Sequence, residues 1–62
     1  MKEGSKEKFL KIYANLPLGI RKEIIVVLEN EPFTWSAVYV EVFNNTEKSI
    51  VLLKKLEEMK II

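Results

Sequence analysis

The apolar positions of this chain fall into four groups, each readable as one face of a helix. Phe9, Ile12, Tyr13 and Leu16 lie at i, i+3, i+4 and i+7, with Lys6, Lys8 and Lys11 off that stripe. Ser5 stands before them as a candidate N-cap, and Glu7 falls in the first turn, where the helix dipole favours negative charge. The residue preceding Pro17 is pushed out of helical geometry, so the first helix is expected over about 5–15, with residues 1–4 frayed ahead of it. Pro17 suits the opening turn of a second helix, because its missing N–H is not needed there. That helix is expected over 17–29. Ile20, Ile24, Val27 and Leu28 form its buried stripe, Ile25 and Val26 widen it, and it should be the most enclosed element. Asn30 can adopt left-handed geometry to end it, and Glu31-Pro32 enforces the break.

Thr34 is the next candidate cap, followed by Trp35, Val38, Tyr39 and Val42 at helical spacing, which predicts a third helix over 34–44. Val38, Val40 and Val42 also alternate with Tyr39, Glu41 and Phe43, so a strand turning back at Asn44-Asn45 is the rival reading of this run. Helix is the preferred one. Thr46 caps a last helix over 46–60, with Glu47 in its first turn. On its helical wheel Ser49, Leu52, Leu53, Leu56 and Met59 gather on one side. Glu47, Lys48, Val51, Lys54, Lys55 and Glu58 gather on the other, and Ile50 sits at the border. The expected fold is therefore all-α: a single helix-turn-helix domain of four helices spanning residues 1–62.

Composition narrows what such a domain does. A chain of 62 residues has room for one core, and at this size only about 60% of the unfolded surface is buried. Hydrophobic residues make up 48% of the chain, a surplus that dimerisation commonly covers in small scaffolds. Cys, His and Asp are absent. Disulfides and thiolate metal sites are thereby excluded, and so are the usual nucleophile–base pairs of enzymes. With Gly4 and Gly19 the only glycines, there is no Gly-rich phosphate loop. No enzyme, cofactor or metal site is expected. Ten Lys and Arg against nine Glu give a net charge of +1, weak for a nucleic-acid binder that relies on bulk charge. No apolar run reaches the roughly 18 residues that span a bilayer, and the N-terminal lysines precede no continuous apolar segment of a secretory signal. A soluble, cytoplasmic protein is expected. Abundant Lys, Glu and Ile with no Cys or Gln lean towards a thermophile-like composition, against which stand four asparagines.

From residue 20 onward the chain resembles the helical core of winged helix-turn-helix regulators. IIVVLENEP stands for a helix ending in a proline loop, TWSAVYVEVFNN for a Thr-capped helix and tight turn, and TEKSIVLLKKLEEMKII for the recognition helix. The family follows this helix with a β-hairpin wing; the present sequence runs out at Ile62, where the wing would start, so either the wing is absent or the domain has been trimmed. The resemblance implies a DNA-associated transcriptional regulator acting through the outward face of the last helix. Lys48, Val51, Lys54 and Lys55 are the candidate DNA-facing residues, with Arg21 and Lys22 as a second cationic pair. Family members carry mostly polar residues early in the recognition helix, able to reach base edges. Ile50 and Val51 stand there instead, and lysines flanking an apolar centre suit phosphates better than bases. The alternative is a protein–protein interaction or dimerisation module, contacting its partner or a second copy through Ile50, Val51, Ile61 and Ile62. Among the aromatics, Phe9, Tyr13, Trp35 and Tyr39 are expected in the core. Phe33 should pack just ahead of its helix cap, and Phe43 is expected to be the more exposed.

Overall fold

The computed structural model describes residues 4–62, and the expected fraying of residues 1–3 lies outside it. Three helices and one antiparallel hairpin share a single core: α1 (Ser5–Ala14), β1 (Ile24–Leu28), β2 (Glu31–Thr34), α2 (Trp35–Phe43) and α3 (Glu47–Glu58). The all-α, four-helix expectation is thus corrected. Three of its helices form close to their expected bounds, and the second does not.

The failure of the expected 17–29 helix has a local cause. Pro17 does begin a helical turn, and Ile20 and Arg21 donate their backbone N–H groups to its carbonyl at 3.1 and 3.3 Å. That turn lasts only through a three-ten segment, Ile20–Lys22. Beyond it come Ile24, Ile25, Val26 and Val27, four consecutive β-branched residues that crowd a helical backbone and suit a pleated one. β1 then reverses into β2 through Glu29 and Asn30, both at positive φ (52° and 68°). A two-residue loop with this backbone twist matches the twist of the flanking strands.

Strand geometry also inverts the expected burial. Val26 pairs directly with Phe33, and these two side chains are the hairpin's contribution to the core. Val27 and Ile24, expected inside, are 53% and 60% exposed. A bulge between Ile24 and Val26 shifts the register and leaves Ile25 half-buried. Pro32 stands opposite Val27 in this two-stranded sheet, where a residue without an N–H is tolerated because each strand is an edge. The Trp35 N–H donates to the Glu23 carbonyl at 3.2 Å and closes the neck of the hairpin.

The helices owe their bounds to their ends. Gly4, not Ser5, is the N-cap of α1; Ser5 is its first helical residue and its hydroxyl donates to the Glu57 carboxylate on α3. Asn15 ends α1 and donates its side-chain amide to the Lys11 carbonyl at 3.0 Å. Thr34 is both the last residue of β2 and the cap of α2, accepting from the Ala37 N–H at 3.0 Å. The strand reading of residues 38–43 is therefore excluded.

The core takes Phe9 from α1, Val26 and Phe33 from the hairpin, Val38 and Val42 from α2, and Leu52 and Leu56 from α3. Full burial of each such side chain contributes about 1.5–3 kcal/mol. Around it runs a chain of stacked rings. Trp35 lies 5.8 Å from Phe9, Phe9 6.0 Å from Tyr13, Tyr13 4.3 Å from Tyr39, and Tyr39 5.7 Å from Phe43. This row ties α1 to α2 and ends on Phe43, which is exposed. Trp35, Tyr13 and Tyr39 are half-buried against the core and Phe9 is fully buried, in line with the helical stripes.

Candidate functional site

The α2–turn–α3 unit is built by two interlocking caps. Asn45 takes positive φ (55°), and its N–H donates to the Val42 carbonyl at 3.2 Å while the Thr46 N–H donates to the Glu41 carbonyl at 3.3 Å. This pair of bonds satisfies the last carbonyls of α2 in a Schellman arrangement. Thr46 then caps α3: its Oγ1 accepts from the Ser49 N–H at 3.1 Å and donates to the Glu41 carboxylate at 2.6 Å. Ser49 is buried as expected, with its hydroxyl donating to the Thr46 carbonyl at 2.5 Å. The angle between α2 and α3 is thereby set by side chains of the turn itself.

α3 buries Ser49, Leu52 and Leu56 and leaves Leu53 half-buried, so its opposite side faces solvent. The expected lysines do not share one line on that side. Glu47, Val51, Lys54 and Glu58 follow at i, i+4, i+7 and i+11 and form the outermost stripe. Lys48 and Lys55, seven residues apart, share a flank. Lys48 is engaged there: its Nζ lies 3.7 Å from the Glu31 carboxylate and 5.6 Å from the centre of the Phe33 ring. Lys54 and Lys55 are exposed, and no ion pair joins Lys54 to Glu58. Counted along α3, three lysines meet three glutamates, and the outer stripe alternates in sign.

Arg21 belongs to a different setting. Its guanidinium lies over the Tyr13 ring at 4.4 Å from the centroid and donates through Nη2 to the Tyr13 carbonyl at 3.1 Å. Its Nε is buried without a hydrogen-bond partner. These contacts fasten the three-ten turn to α1 and leave the charge turned into the fold. Lys22 beside it is exposed.

The four residues expected to make protein contacts divide in two. Ile50 and Val51 are 68% and 48% exposed on α3. Ile61 and Ile62 are half-buried and pack against the core. Lys60, at φ 61°, turns the chain back, with its own N–H bonded to Glu57 and that of Ile61 to Leu56, both at 3.0 Å. The apolar C-terminal pair is thus occupied within the chain. Beside Ile50, an open groove of about 470 Å³ runs between the start of α1 and α3, lined by Ser5, Leu53, Lys54 and Glu57 among others.

Two exposed features escaped the periodicity. Val40 projects from α2 beside Phe43, whose exposure was expected; the nine residues of α2 include only Ser36 and Glu41 as polar side chains besides the half-buried rings, a composition that by itself signals surplus apolar surface. Ile24 and Val27 are exposed because their segment is a strand. No helix among the described residues is long and apolar enough to cross a membrane. No protein family, curated protein or solved structure matches this chain.

Proposed function

We propose that this chain is a non-enzymatic protein-interaction module, cytoplasmic in location, built on three helices and a hairpin and working through the outward face of α3. The observation that carries the reading is the pair Ile50 and Val51. Both are exposed on the face that a DNA reader would lay in the groove, Val51 on its outermost stripe and Ile50 towards its border. Base edges there offer donors and acceptors, which two aliphatic side chains cannot satisfy. Apolar side chains at the centre of a face, rimmed by charge, match the anatomy of a protein contact. The engagement of Lys48 by Glu31 and of Arg21 by Tyr13 withdraws two of the expected phosphate contacts. A second reading, duplex DNA, rests on Lys54 and Lys55, both exposed.

One paired experiment separates the two. Sedimentation of the wild type and of Val51→Arg is run beside a titration with random-sequence duplex DNA at several salt concentrations. The interaction module predicts concentration-dependent association that Val51→Arg abolishes, since an unpaired charge in an apolar contact is strongly unfavourable. It also predicts no duplex binding at low salt. Duplex binding whose log affinity falls with log salt at a slope of about −2 per subunit, strengthened by Val51→Arg, would overturn it.

A further inference from the structure

Glu47, Ile50, Val51 and Lys54 stand in an order that carries its own complement. Glu47 and Lys54 are seven residues apart, two helical turns, so they lie on one stripe at opposite ends of the apolar pair. Among the described residues neither has an ion-pair partner within the chain. The midpoint between 47 and 54 is also the midpoint between 50 and 51. We propose that the partner of this face is a second copy of the chain, docked by an antiparallel pairing of α3 with α3 about a two-fold axis between Ile50 and Val51. This rests on the interaction-module reading and names its partner.

The pairing follows from the symmetry. In a two-fold interface each contact occurs twice, with the roles exchanged. Antiparallel α3 helices centred between Ile50 and Val51 set Glu47 of one copy against Lys54 of the other at both ends, and Ile50 against Val51 in the middle. Continued outward to the ends of the overlap, the same register places Lys48 opposite Leu53 and Lys55 opposite the cap residue Thr46. No like charges meet. A parallel pairing in the same register would set Glu47 on Glu47 and Lys54 on Lys54, so the charges select the antiparallel arrangement. The groove beside Ile50 leaves room along this flank for the partner's side chains.

Standard interfaces bury about 800 Å² per partner. The whole chain exposes 4476 Å², and one helical stripe supplies well under the standard area. The association therefore belongs to the weak class, to be measured at concentrations of roughly 10–500 μM.

The charges supply a test that exposure alone does not. Glu47→Lys and Lys54→Glu are made singly and together, and sedimentation equilibrium is run on each, with thermal melts confirming the fold. Each single variant should lose self-association by about tenfold, because two attractive pairs become two repulsive ones. The double variant should recover it. An equimolar mixture of the two single variants should associate as well as the wild type. One of them carries lysine at both positions and the other glutamate at both, so every pair between them is attractive. Self-association indifferent to the swaps, or singles that do not complement each other, would overturn the antiparallel pairing while leaving an interaction module that dimerises elsewhere. A wild type that stays monomeric throughout the range would overturn the second copy as partner and leave a partner of another kind. Monomer combined with duplex binding would remove both this inference and the reading beneath it.

Discussion

Replacing Glu29 by glycine gives opposite results for the two conformations that the 17–29 segment invites. In the structure Glu29 is the first residue of the two-residue loop between β1 and β2 and takes φ 52°. Its side chain is exposed and, among the described residues, makes no hydrogen bond or ion pair. Left-handed geometry costs an L-residue about 1–2 kcal/mol, and glycine escapes that cost. Glycine brings back roughly 0.5–1 kcal/mol through the extra freedom of the unfolded chain. The net gain is about 0.7 kcal/mol, or a rise in Tm of about 3–6 °C for a domain of this size. Glu29→Ala retains the Cβ and the strain, and leaves Tm nearly unchanged. In the helical alternative the order reverses. Glu29 would be the last residue of a helix, where alanine is favoured and glycine costs about 1 kcal/mol. Thermal unfolding followed by circular dichroism on the three proteins decides between them. Alanine above wild type with glycine below it would refute the hairpin and the reasoning built on it.

Lys60→Gly should also raise Tm, by a similar few degrees, because Lys60 holds φ 61° in the turn that returns Ile61 and Ile62 to the core; Lys60→Ala is the control, and equal melting of the two would refute the assignment. Arg21→Gln should destabilise the fold by about 1–3 kcal/mol in urea unfolding, through loss of the charge over Tyr13 and of its charged hydrogen bond to the carbonyl. If Arg21 instead served a bound polyanion, the substitution would leave stability intact. Thr46→Val should cost about 1–2 kcal/mol and speed amide exchange at Ser49, since one hydroxyl caps α3 and binds Glu41.

How legible each element was in the sequence depended on what defines it. Thr34 and Thr46 were readable as caps because a hydroxyl before an apolar run has a local role that tertiary packing does not alter. The stripes of α1, α2 and α3 were readable because each helix buries one side. The hairpin was not, because Ile20, Ile24, Val27 and Leu28 also fit helical spacing. In a run so rich in apolar residues, several periods fit at once. The deciding signal lay in residue type: four β-branched residues in succession, followed by Glu29-Asn30 ahead of a proline. The loop lacks the Asn-Gly or Asp-Gly pair that usually marks such a turn, so the hairpin carried no strong sequence flag. At the candidate site, the exposure of Val51 followed from the helical wheel, which left Ile50 at the border. The capture of Lys48 did not, since Glu31 and Phe33 reach it only once the hairpin has formed.

The hairpin also bears on why one face of the molecule is singled out. A helix over 17–29 would have buried a stripe of four residues, whereas strand alternation sends Val26 inward and Ile24 and Val27 outward. Together with Leu18, Val40, Phe43 and Met59, these add to an apolar surface that a chain of this size cannot hide. Apolar exposure alone is non-directional and sets no register. Leu18 and Val40 are not flanked by opposite charges at a matched spacing, and the pair that brackets Ile24 and Val27, Lys22 and Glu29, stands in the three-ten turn and the hairpin loop, outside β1. On α3 the apolar pair stands midway between Glu47 and Lys54, and a charge that must meet its opposite fixes both direction and alignment. The antiparallel pairing proposed for α3 meets that requirement with the apolar pair at its middle, which is why the proposed contact is placed there and not on the larger scattered surface around it.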